Sequence, residues 1–435
     1  MSEVAWNNIL ATGYLLVWIM TLVWYQYKSR ILDGGTAVMS TYILYAIFSL
    51  FSLNDVMFAD FYLPLKVFPY IYLYVMLMVA LSPTIYIHLN PVKNIEQPQT
   101  NILGIISVII IISSVLLVPD IIANFGTGLV KLFTETDAGK DAYMEHIEED
   151  KEAGSGISNI PAIIYNAFSD ITIFLCFYYM TCKKKNYWLI AGLIFAILIG
   201  ILIPMMHGQR GGVIAAVLTT CVGYALFQQY ISRRINRVIR LLGITSIIAI
   251  AVPVAAITIS RFGNMGGGVT GFLNWYVGQG SLYFNNFALD AGGTRNGDRT
   301  LNLAKRLIDP DTPKNYTERR EKYSHLNIDD NIFSTFVGDF VIDFGPITTV
   351  FIFVIFNGLI LYLIRFRNSR DGTLKLHQAL LLYFTLCICM QGGMTLFSFS
   401  DTGNLRIVIL FSLYGYLRYH ELLLEKFPVE NSSSK

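Results

Sequence analysis

Charge is scarce in this sequence. Asp, Glu, Lys and Arg make up 14% of the 435 residues, where a soluble domain carries about 25%. The shortfall excludes a globular core wrapped in a solvated surface. The net charge of +2 gives no global field of the kind that draws nucleic acid. Cysteine is also sparse. Cys176, Cys182, Cys221, Cys387 and Cys389 all fall in apolar stretches or at their ends, so no structural disulfide is expected. The pair at 387 and 389 reads as packing rather than as metal ligands. There is no His-Glu-x-x-His, no Cys/His cluster and no phosphate-binding glycine loop followed by Lys, so zinc-dependent and ATP-driven chemistry have no support. No basic residue precedes the first apolar run near Ile9, so that run is expected to be a retained span rather than a cleaved signal.

Long apolar runs are what the chain has in abundance, with 54% hydrophobic residues, 29 Phe and 26 Tyr. Stretches long enough to cross about 30 Å of hydrocarbon are expected near 8–26, 36–53, 67–89, 101–118, 161–181, 187–206, 211–231, 241–259, 336–364, 376–397 and 404–420. In lipid the backbone must satisfy itself, so each is expected to be a helix. The fold class that follows is an all-α polytopic bundle of about eleven spans.

Basic residues orient it. Lys28 and Arg30, Lys93, Lys183 to Lys185, Arg233 to Arg240, Arg365 to Lys375, and Arg418 with Lys426 follow every second span. Loop 54–64 between them has Asp55 and Asp60 and no Lys or Arg. This places the N-terminus outside and the C-terminus in the cytoplasm. The chain then divides into a four-span region 1–118, an acidic external loop 119–160, and a core 161–435 that includes a large external loop 260–335. That loop is expected to hold a short surface helix near 300–308. His88 and His377 fall at the cytoplasmic side, where an interfacial role is expected.

Three short segments could carry chemistry. His207-Gly208-Gln209-Arg210-Gly211-Gly212 forms a tight external turn. Glycine allows close backbone approach, and a guanidinium suits a pyrophosphate; an interfacial arginine gripping headgroups is the alternative. Arg261, at the external exit of the eighth span, poses the same choice. Asp339 and Asp343, four apart in an apolar segment, share a helix face. Burial would suit one of them to proton abstraction; a pair bound to loop amides or to an arginine is the alternative. Weaker candidates are Asp290, Arg295, Arg299, Arg319, Arg320 and His325 in the large loop, Asp170 within the fifth span, and Asp401 and Arg406 near the last external turn.

Residues 187–364 resemble the bacterial oligosaccharide repeat-unit polymerases of the Wzy type, within the C-type membrane glycosyltransferase superfamily. The resemblance rests on Gly208-Gln209-Arg210-Gly211, on Trp275-Tyr276-Val277-Gly278-Gln279-Gly280-Ser281, and on Gly338-Asp339-Phe340-Val341-Ile342-Asp343-Phe344-Gly345. It implies polymerisation of undecaprenyl-pyrophosphate-linked units into O-antigen or capsule at the outer face of the plasma membrane. No cofactor is implied. The implied partners are the lipid-linked donor and acceptor, membrane lipids, a chain-length regulator and a flippase. Pyrophosphate or glycan would fall to Arg210, Arg261, His207, Gln209, Tyr276, Arg295, Arg299 and Arg406, and the general base to Asp339, Asp343 or His325. Related O-antigen ligases carry a loop histidine where this chain reads Asp330-Asn331-Ile332-Phe333, which counts against a ligase. A flippase for lipid-linked glycan is the other alternative.

The orientation is checked by impermeant maleimide on single cysteines placed in a cysteine-free background. Positions in 54–64 and 260–335 should label on intact cells, and positions in 183–185 only after permeabilisation.

Overall fold

The computed structural model describes residues 2–29, 31–98, 100–123, 160–207, 209–262, 268–329, 332–365, 372–393 and 401–426. The helices are α1 (Glu3–Ser29), α2 (Gly34–Leu53), α3 (Val67–Leu89), α4 (Ile102–Leu116), α5 (Ile160–Thr181), α6 (Tyr187–Met206), α7 (Arg210–Phe227), α8 (Arg233–Phe262), α9 (Gly268–Phe287), α10 (Asn302–Arg306), α11 (Tyr316–Lys322), α12 (Thr335–Phe344), α13 (Pro346–Arg365), α14 (Leu376–Gln391) and α15 (Asp401–Lys426). The chain is thus an all-α polytopic bundle. Ten helices among the described residues are long and apolar enough to cross a membrane, and α14 is a shorter apolar one. The acidic cluster expected in loop 119–160 lies outside the described residues.

The basic loops gather at one end. Residues 94–95 (β1) pair in parallel with 373–374 (β2), which ties the loop after α3 to the one before α14. Lys375 then bonds Glu96 at 2.6 Å and Glu421 of α15 at 2.9 Å. Although burial works against its charge, the two carboxylates raise its pKa above the usual lysine value. Asp33 caps α2 by accepting from the Thr36 amide. It also accepts from the Tyr25 hydroxyl and lies 2.7 Å from His88 Nδ1. His88 and His377 both lie at this end. Each is buried against a carboxylate, Asp33 and Glu421 respectively.

At the opposite end the structure corrects three expectations. The span expected at 336–364 is two helices, because Gly345 takes φ +79° and Pro346 follows it. A left-handed glycine with proline next is a helix stop. The span expected at 376–397 ends at Gln391, before Gly392 and Gly393. The loop 260–335 contains a full helix, α9, whose aromatic and glycine-rich sequence is too polar to count as a span. It packs along the C-terminal part of α2. A Cβ on Gly278 would lie 2.5 Å from the Phe48 carbonyl, and Ser49 Oγ donates to the Gly278 carbonyl at 2.7 Å. Asn285 holds both backbone groups of Lys66, at 2.8 Å each, pinning the far end of α9 to the start of α3. The short helix near 300–308 is present as α10, with Leu307 and Ile308 exposed just beyond it.

Gly278→Ala should push α9 off α2 and destabilise the protein by about 1–3 kcal/mol, the usual cost of overpacking. Gly358 in α13 meets open space, so Gly358→Ala should leave stability unchanged or raise it by up to about 1 kcal/mol. Thermal unfolding in detergent separates the two.

Candidate functional site

The two aspartates of α12 do share a face, and the large loop folds onto them. Arg295 Nε donates to Asp343 Oδ1 at 2.7 Å, and neither side chain is exposed. Thr300 donates to Asp343 Oδ2 through its amide at 2.7 Å and its hydroxyl at 2.8 Å. Arg295 Nη2 lies 3.5 Å from Asp339 Oδ1, and Arg299 Nε lies 3.2 Å from the same oxygen. Arg299 Nε faces that oxygen as an ion pair and not along a hydrogen-bond direction.

Next to this cluster, the Asp298 carboxylate takes Lys322 at 2.8 Å, the Tyr323 hydroxyl at 2.6 Å and Lys305. Burial pushes the Asp298 pKa up, but these three donors outweigh it and hold it below the usual range. Burial, then the neighbouring Asp298, pushes the Tyr323 hydroxyl well above its ordinary value.

This geometry gives the arginine-bound alternative for the aspartates. Both Asp343 oxygens are taken by donors, which leaves it a positioning residue rather than a base. Asp339 shares one oxygen between two guanidiniums. His325 is exposed beside Tyr323, with ring centroids 6.1 Å apart. None of the three lines the polar cavity described next. Arg295 and Arg299 are likewise committed to the aspartates and not aimed into that cavity.

The cavity, of about 610 Å³, lies among α4 to α7 and the neighbouring ends of α14 and α15, at the end away from the basic loops. His207, Gln209, Asp170, Gln391 and Arg406 supply much of its polar lining. Arg406 Nε donates to the Asn166 carbonyl at 2.8 Å, and Nη1 stands 3.9 Å from Asp170 Oδ1. Asp170 and Arg406 keep 15% and 26% of their side chains exposed, so the pair is reachable from the cavity. An ionisable pair within spanning helices is costly unless it faces water or a partner, and here each charge has a partner and borders the cavity.

Arg210 does not line the cavity, although its neighbours Gln209 and Gly212 do. It is buried, with its guanidinium carbon 4.1 Å from the centroid of the Tyr276 ring, a cation–π distance. Its Nη1 is 3.5 Å from Thr258 Oγ1. A Cβ on Gly211 would lie 3.2 Å from the Tyr276 hydroxyl. Arg210 and Tyr276 thus meet each other and join α7 to α9. The side chain of Arg261 and residue Gly208 lie outside the described residues, as do Asp330 and Asn331.

Sequence reasoning undervalued Asp170 and missed Asn166 and Gln391. It also left the partners of Asp339 and Asp343 open. One signal was available: Arg295 and Arg299 are four apart, as are Asp339 and Asp343.

No family model, no curated protein and no solved structure matches the chain.

Removing one partner of a buried ion pair leaves an uncompensated charge and costs about 3–5 kcal/mol. Asp343→Ala and Arg295→Met should each lower the unfolding temperature and membrane yield sharply. The double variant Arg295→Met/Asp343→Leu should be more stable than either single variant. Wild-type stability in Asp343→Ala would overturn the positioning role.

Proposed function

We propose that the chain is a membrane glycosyltransferase that polymerises undecaprenyl-pyrophosphate-linked oligosaccharide units at the outer face of a bacterial plasma membrane, yielding O-antigen or capsular polysaccharide. The observation that supports this reading is the polar cavity. In a bundle poor in charge, it brings Arg406, Asp170, His207 and Gln209 to the end where the long loops lie. In the reaction a sugar hydroxyl of the incoming unit attacks the anomeric carbon of the growing glycan. The bond to the carrier's diphosphate oxygen breaks, and the diphosphate leaves as an anion. A fixed cation in a partly desolvated cavity stabilises that developing charge. Arg406 is placed for this work. Its guanidinium is held by a backbone carbonyl on one side and still reaches the cavity. The proton of the attacking hydroxyl passes to His207, Asp170 or Asp120, acceptors that line the same space. The activated lipid carries its own leaving group, so the scheme calls on no nucleotide.

One observation favours a second reading. The Asp170–Arg406 pair lies on spanning helices, as the groups of a carrier's path do, which suits a flippase for the same lipid-linked glycan.

Purified protein supplied with lipid-linked oligosaccharide in detergent, without ATP or an ion gradient, should lengthen the glycan. Arg406→Ala should cut the rate by about a hundredfold or more, as loss of one preorganised donor does, while membrane abundance stays near normal. Lengthening at the wild-type rate in Arg406→Ala would remove the role assigned to this arginine. Inability of the wild type to lengthen any lipid-linked oligosaccharide would favour the carrier.

A further inference from the structure

A second cavity, of about 240 Å³, lies on the other side of α14 and α15 from the polar one. Its walls are nearly all hydrocarbon. Phe336 and Phe340 come from α12, Phe353 and Phe356 from α13, Phe384 from α14 and Phe411 from α15. It begins at Thr300 and Leu301, directly after Arg299, and runs down to Ala80, midway along α3. Phe336, Phe353 and Phe384 are almost fully buried, while Phe340, Ile352, Phe356 and Phe411 are half-buried, so the space is a slot that reaches into the bundle and stays open along one side. Thr300, Asn357 and Thr385 are its few polar lining residues, and a space walled so largely by hydrocarbon favours an apolar guest over water.

We propose that this slot binds the polyprenyl tail of the lipid-linked substrate, at the end next to the diphosphate. The inference rests on the function proposed above for the identity of the tail. The slot begins at the outer end of the bundle and follows the spanning direction, as a membrane-embedded tail must. A single slot also favours a one-chain lipid. A phospholipid has two chains on one headgroup and would have to splay them to insert one, whereas a polyprenyl diphosphate has one chain to place. The head would then emerge at Thr300–Leu301, beside the ends of α14 and α15. There Gln391 and Arg406 face the polar cavity, while Ile388 and Ile407, each close by on the same helix, face the slot.

The test uses the full chain in nanodiscs with a diazirine-bearing undecaprenyl diphosphate that carries no sugar, so that labelling needs no turnover. Labelled peptides should map to α12, α13, α14 and α15. Ile388→Trp and Thr385→Phe fill the slot and should each cut labelling there by about tenfold, the effect of losing a few buried methylenes. Leu359→Trp, on the exposed face of α13, should leave it unchanged. In assays of glycan lengthening, the filled variants should raise KM for undecaprenyl-linked donors and leave KM for geranyl-linked donors unchanged. Labelling spread evenly over exposed helices, or equal labelling of the slot by diazirine phosphatidylglycerol, would overturn the proposal. Slot labelling in a protein that lengthens no glycan would sustain the slot and defeat the polymerase reading. The reverse pattern would do the opposite.

Discussion

A guanidinium and a carboxylate with no exposed surface, Arg295 and Asp343, meet at 2.7 Å, and the half of the molecule away from the basic loops depends on that contact. Each charge alone would be expensive to bury, and neither has water to fall back on. The contact therefore fixes where the loop after α9 can go. It carries Thr300 onto the second Asp343 oxygen and brings Arg299 to Asp339. Leu301 and Asn302 follow at once, and the side-chain amide of Asn404 at the start of α15 donates to Asn302 at 2.6 Å. A single buried ion pair thus sets the register among the large loop, α12 and the last spanning helix.

That chain of contacts commits the aspartates to holding the fold. A base needs a lone pair directed at substrate, and the Asp343 oxygens are spent on Arg295 and Thr300. Arg210 packs the face of its guanidinium against the Tyr276 ring. It joins α7 to α9 and shapes the rim of the polar cavity from behind. Arg406 and Asp170 remain on the cavity wall, 3.9 Å apart at their nearest N–O pair. At that distance the two are loosely paired and open to competition from an anionic ligand.

The spanning pattern was legible because hydropathy and loop charge act residue by residue, without regard to contacts. The helix ends near 89, 181 and 206 could be placed for that reason. The break at Gly345-Pro346 could have been placed too, since both residues signal a stop, but a continuous apolar run masked it. α9 was not legible as a helix. Gly278 and Gly280 serve contact with α2 and Gly393 rather than turns, so the composition reads as loop. The site was legible in residue type and not in partnership. Arginines and aspartates in an apolar chain announce that they must be paired, but pairing Arg295 with Asp343 across 48 positions is a property of the folded loop.

The polar cavity and the apolar slot are separated by the ends of two helices, and that separation has a chemical use. On α15, Arg406 faces one space and its neighbour Ile407 faces the other; on α14, Gln391 and Ile388 divide in the same way. Side chains of adjacent residues on a helix point about 100° apart, so one helix end can serve two solvents at once. A substrate that is hydrocarbon at one end and an anionic sugar diphosphate at the other needs such a boundary, because neither half is stable in the other's surroundings. Seating the tail on one side of α14 and α15 would deliver the diphosphate to the rim where Arg406 stands. Part of the cost of orienting the reacting bond would then be met by burial of the tail, far from the bond that breaks.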